Sequence, residues 1–228
     1  MMIRQLFDKD TSTYTYLVAD TQTGEAALID AVREQFNRDS KLVKELGLTL
    51  KYAIETHVHA DHITGAGLLR NAFGTRVALH EASESKCADI LLKDGEVLKV
   101  GDIEIKALHT PGHTNADTSY LVDGAVFTGD ALLIGGCGRT DFQAGDAAQL
   151  YQSIHDKLFT LPDETVVYPG HDYRGLTVST IGEEKANNAR LGQGKSKEEF
   201  VEIMDNLNLP HPARIKEAVP GNMVCGNV

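Results

Sequence analysis

The chain has 228 residues, which suits one domain or one domain with a short extension. Hydrophobic residues make up 42% of it, enough for a sizeable core, and no run approaches the roughly 18 apolar residues of a membrane helix. The formal net charge of −11 argues against non-specific binding to nucleic acid or an anionic membrane. An anionic substrate would need cations placed locally.

Residues 2–30 read as three short strands, with Tyr14–Val18 β-branched and aromatic and Ala26–Asp30 following the turn at Thr23-Gly24. Residues 33–46 are predicted helical, since Phe36, Leu42, Val43 and Leu46 share a side and Gly47 can close the helix. A strand over 48–54, a helix over 61–73 and a strand over 76–79 follow. Two hairpins are expected next, 96–100 with 103–108 and 117–122 with 126–128, then a helix over 146–158 and a strand over 165–168. Helices over 180–190 and 196–206 precede a tail that Pro210, Pro212 and Pro220 mark as loop wrapping the surface. Two groups of strands, each followed by helices, suggest an α/β (α+β) chain with two mixed β-sheets face to face and helices outside, an αββα sandwich.

Cys87, Cys137 and Cys225 are an odd, sparse set that suggests no disulfide framework and fits a reducing compartment. Residues 1–7 carry no long apolar stretch and read as a first strand rather than a leader, so a soluble cytoplasmic protein is expected.

The densest chemistry lies at His57-Val58-His59-Ala60-Asp61-His62, directly after the apolar Tyr52-Ala53-Ile54. Imidazole is the commonest protein ligand for transition metals. The spacing fits a loop leaving a strand end, not the i, i+4 pair of a helical metal site. Three later blocks repeat the device of a metal-competent side chain in a glycine turn after a strand: Pro111-Gly112-His113, Thr128-Gly129-Asp130 and Pro169-Gly170-His171-Asp172. His80 and His109 end strands without that context and are assigned to structure. His155 is read as a solvated helical residue, and His211 receives no role.

These motifs resemble the metallo-β-lactamase superfamily over residues from about 10 to 175. The block Gly129–Gln143, which holds Cys137 and Arg139, resembles the persulfide dioxygenases within it. So do Tyr168–Gly175, Thr177–Thr180, Asn206–Pro210 and Ala218–Met223, so the likeness runs nearly end to end. It implies the metallo-β-lactamase fold in a single domain over 1–228, with 176–228 a short helical and wrapping extension. It also implies one Fe(II) per chain, held by His57, His113 and Asp130. His59, Asp61, His62 and His171 would then be the polar shell around that ion, or a second metal site as in binuclear relatives. The implied reaction oxidises glutathione persulfide with O₂ to sulfite and glutathione. A two-His-one-carboxylate triad leaves three cis positions, enough for a sulfur and O₂ side by side.

Arg139, Tyr173 and Arg214 are the implied glutathione contacts, with Lys216, Asn222 and Met223 weaker candidates; guanidinium can grip a carboxylate bidentately. Cys137, flanked by glycines, is read as structural or modulatory. The resemblance hints at a homodimer and a functional link to a rhodanese-type sulfurtransferase. The alternative is a binuclear zinc hydrolase of glutathione thioesters like glyoxalase II, although only about fifty residues follow His171. A non-catalytic metal-binding scaffold is the third reading.

Overall fold

The computed structural model describes residues 1–228 and contains two six-stranded sheets. Sheet one takes β1 (Met2–Asp8), β2 (Thr13–Ala19), β3 (Glu25–Ile29), β4 (Thr49–Ile54), β5 (Arg76–His80) and β6 (Ile90–Leu92) in chain order. Its first three strands are antiparallel, while β3 through β6 run parallel. Sheet two is formed by β7 (Val97–Val100), β8 (Ile103–His109), β9 (Thr118–Val122), β10 (Ala125–Gly129), β11 (Val166–Pro169) and β12 (Ser179–Thr180), and only β10 and β11 pair in parallel.

The two-residue period of a strand sorts side chains between layers. Tyr14, Tyr16 and Val18 of β2 point into the space between the sheets, against Tyr120 and Phe127. Leu17 and Ala19, on the other face, pack with Val43 and Leu69 of the helices α1 (Phe36–Glu45) and α2 (Ala66–Phe73). Sheet two is covered by α3 (Ala147–Ser153), a wider π-helical turn over Ile154–Leu158, α4 (Ile181–Asn187) and α5 (Lys197–Asp205), through Leu150, Ile154, Ile181 and Phe200. The expected αββα sandwich of mixed sheets is therefore present.

Several local expectations are corrected. The helix expected over 61–73 begins only at Ala66, because the preceding backbone is spent on the histidine loop. The tail is not all loop: α6 (Ile215–Asn222) forms with Pro220 inside it. Proline removes one donor, yet Ala218, Gly221 and Asn222 are buried by this short helix, and that burial outweighs the local signal. The edge strands β6 and β12, of three and two residues, carry too little pattern to be read in advance.

The cysteine reading is also overturned. Cys87 and Cys225 form a disulfide across 138 residues of sequence, leaving Cys137 as the free, buried thiol. Spacing along the chain could not reveal a pair that only folding brings together. No helix is long and apolar enough to cross a membrane.

Candidate metal centre

Four loops meet at one end of the two sheets. Residues 55–65 follow β4, 110–117 lie between β8 and β9, Asp130 follows β10, and Gly170–His171 follow β11. His57, His113 and Asp130 converge so that one ligand atom from each lies within 4.8 Å of the others. Gly129 precedes Asp130 at φ 51°, and a Cβ there would meet the Thr56 side chain at 2.5 Å. The turn thus needs glycine both for its conformation and for its closeness to the loop that carries His57.

Hydrogen bonds outside the triad fix which atoms face inward. The Thr56 hydroxyl donates to Asp30 (2.9 Å), so its oxygen accepts from His57 Nδ1 (2.9 Å). His113 Nδ1 donates to the carbonyl of Arg139 at 2.6 Å. Both rings are thereby held in the tautomer whose Nε2 lone pair is free. Asp130 Oδ1 accepts from His171 Nδ1 at 2.7 Å, which leaves Oδ2 open, 3.6 Å from His113 Nε2. Such outer partners orient metal ligands and raise their basicity.

The same electrostatics favour the deprotonated forms of His57 and Asp130. Burial presses His57 well below the usual histidine range, helped by His59 and His113. Burial alone would raise Asp130, but the charge and hydrogen bond of His171, with His113 and His57, outweigh it and hold the carboxyl far below normal. Two imidazoles whose outer nitrogens are engaged and a carboxylate with an open oxygen fit a divalent transition-metal ion.

The other four candidates, His59, Asp61 and His62 of the histidine loop and His171 after β11, sit around this triad. His59 is not part of that group: Nε2 donates to Asp30 at 3.1 Å and lies 3.3 Å from Glu55 Oε2, and these carboxylates raise its pKa against the effect of burial. His171 has both ring nitrogens engaged, Nδ1 on Asp130 and Nε2 on Asp61 (3.0 Å) and the Thr13 hydroxyl (3.1 Å). His62 Nδ1 donates to Asp61 at 3.0 Å. His59 Nδ1 and His62 Nε2 are buried without a partner, and the residues His59, Asp61 and His62 form a second group of potential metal ligands.

The expected substrate contacts occupy varied positions. Tyr173 is 74% exposed and its ring is parallel to His171 at 6.0 Å. The Arg139 guanidinium makes a bidentate pair with Asp141 (2.6 Å for each contact) and donates to the carbonyls of Pro210 (2.6 Å) and Leu209 (3.2 Å). Arg214 pairs with Glu34 at 2.7 Å and with Glu217 at 3.4 Å. Asn222 is buried behind the histidine loop, and its amide bonds backbone there. Cys137 packs on Met204 sulfur (3.7 Å), and burial raises its thiol to about 11, too high for a ready nucleophile.

Some participants were missed from sequence. Asp30, Glu55 and Thr56 hold His57 and His59 from behind, and Thr13 reaches His171 from β2. Asp30 did carry a signal, an acidic residue at a strand end like Asp130. His80 and His109 stack at 3.8 Å, as structural residues would, and His155 stacks on Tyr151 at 3.8 Å instead of standing free in solvent.

The family model described as the metallo-beta-lactamase superfamily matches residues 8–171. Bovine (Bos taurus) "Persulfide dioxygenase ETHE1, mitochondrial" is 50% identical over 99% of this chain and 89% of its own length. The crystal structure of ETHE1 from Myxococcus xanthus superposes with a TM-score of 0.97 at 54% identity, covering 100% of both chains. A probable hydroxyacylglutathione hydrolase of Schizosaccharomyces pombe is 36% identical over 70% of this chain and 64% of its own length.

Proposed function

Since this chain belongs to the metallo-beta-lactamase superfamily, and within it to the persulfide dioxygenases, we propose that it oxidises the terminal sulfur of glutathione persulfide with O₂. One persulfide, one O₂ and one water give glutathione, sulfite and two protons. The observation that carries this reading is 50% identity to the bovine persulfide dioxygenase over 99% of this chain.

His57, His113 and Asp130 would hold a single Fe(II), through the two Nε2 lone pairs and Asp130 Oδ2. When bound, Fe(II) supplies the redox chemistry that the spin-forbidden reaction of O₂ requires. His171 keeps the carboxylate aimed and charged. The Arg139 carbonyl keeps His113 in one tautomer, and its side chain holds Leu209 and Pro210 beside the centre as a wall for the substrate. Tyr173 and Arg214 are proposed to meet the glutathione, with Arg214 exchanging Glu34 for a substrate carboxylate.

That His57, His113 and Asp130 converge as a group without His59 supports a single ion at that group. The unpartnered His59 Nδ1 and His62 Nε2 are what favour the second reading, a binuclear hydrolase of glutathione thioesters. The proposal extends to a homodimer, to a sulfurtransferase as persulfide source and to a cytoplasmic setting, each resting on sequence resemblance or composition. Metal analysis combined with oxygen uptake on purified protein tests it. We expect about one iron per chain and O₂ consumption with glutathione persulfide. Two zinc ions, no oxygen uptake and hydrolysis of S-lactoylglutathione would replace the first reading with the second.

A further inference from the structure

The end of the chain does more than cover sheet one. Asn222, 4% exposed, accepts from the Thr64 N–H through Oδ1 and donates through Nδ2 to the carbonyls of His59 and His62, each at 2.8 Å. One side chain therefore holds the backbone on both sides of Asp61. The next residues continue the attachment: Gly67 N–H donates to the Cys225 carbonyl at 2.8 Å, and Arg33 donates to the carbonyls of Gly226 and Val228. Cys225 and His57 line one enclosed space, with Glu55, His59 and Asn222, that is too small to admit a water molecule. Close-packed matter of this kind passes a displacement on to its neighbours.

The segment has one covalent anchor, the Cys87–Cys225 bridge. Cys225 is 1% exposed, whereas Cys87 is half-buried in a loop where the Ser85 hydroxyl donates to its sulfur at 3.3 Å. A small thiol therefore meets the bridge at Cys87. We propose that residues 222–226 form a clamp on the histidine loop, that Asn222 is its positioning residue, and that small thiols release the clamp by reducing the Cys87–Cys225 bridge. A thiolate attacks Cys87 sulfur, the S–S bond breaks, and Cys225 leaves as a thiolate that takes up a proton. A second thiolate attacks the small-molecule sulfur of the mixed disulfide; Cys87 leaves as a thiolate that takes up a proton, and the two small thiols, having given both electrons to the protein, depart as their disulfide. The clamp rests on reading this loop as the metal loop, and it adds a control that the proposed activity does not contain.

The test compares protein equilibrated with oxidised or reduced glutathione and then desalted, its bridge state read by mass. Amide hydrogen exchange is followed in metal-free protein, and metal loss to a chelator in protein loaded with Fe(II). Reduction is expected to speed exchange at Thr64 and Gly67 and across residues 58–67, and to speed metal loss about tenfold, the scale of lost outer partners. Cys87→Ser should match the reduced protein and ignore glutathione. Asn222→Asp, which keeps the acceptor but loses both donors, should match it with the bridge intact. Equal exchange in both bridge states, a Cys87→Ser variant that still responds, or faster exchange spread over all of sheet one with a fall in Tm would overturn the proposal. Neither readout uses turnover, so a failed dioxygenase assay leaves this result separate.

Discussion

At the scale of single residues, the centre depends on atoms that touch the ligands from outside. His171 is the clearest case, since it gives Asp130 both a hydrogen bond and an opposing charge. Replacing His171 by Ala should weaken metal affinity roughly 10- to 100-fold while the fold remains, because only the carboxylate's support is lost. A dissociation constant equal to wild type, measured by competition with a chelator, would remove His171 from this role. Arg139 divides its work between backbone and side chain. Arg139→Ala keeps the carbonyl that orients His113 and loses the hold on Leu209 and Pro210, so KM for glutathione persulfide should rise several-fold at unchanged metal content. A fall in metal content with KM unchanged would mean that the side chain serves the centre instead of the substrate wall.

Elements set how closely those residues approach. The turn after β11 brings Gly170 so near that a Cβ would lie 2.7 Å from Asp130 Oδ1 and 2.9 Å from the Gly129 carbonyl carbon. Gly170→Ala must therefore displace the carboxylate or the strand end. We expect metal binding to fall at least tenfold, a loss of the scale that follows when a ligand's support is disturbed, and the substitution to lower Tm as well; full metal binding in a titration would show that the turn yields freely. The glycine-before-ligand pattern was legible in sequence for the same reason that it matters here. Strand ends and turns are local, and their chemistry is written in adjacent residues. The helix start at Ala66 and the formation of α6 were not legible, since packing of distant faces decides them.

Across the whole molecule the two sheets are joined by more than their apolar core. His80 ends β5 in sheet one and His109 ends β8 in sheet two, stacked at 3.8 Å with Asp94, Glu81 and Lys157 nearby. Burial first, then the neighbouring His109, lowers His80 from 6.5 to about 4. A base whose folded pKa is depressed stabilises the fold fully above its unfolded value and loses that contribution as pH falls toward the folded one. Stability should thus decline between about pH 6.5 and pH 4 on this account, and His80→Phe, which retains a ring on His109, should flatten that part of the curve of Tm against pH. An identical slope in the variant would show that other groups carry the acid sensitivity.

The sequence by itself suggested the layered architecture and marked the four loops that build the centre, with the side chains they offer. These follow from periodicity and from side chains set beside glycine turns. Only the tertiary structure decided that His59 turns to Asp30 and Glu55, that Asn222 reaches back to the histidine loop, that the guanidinium of Arg139 is met by Asp141, and that Cys87 meets Cys225. Each of those joins residues from separate elements, and such pairings arise only when hydrophobic burial has fixed where the elements lie.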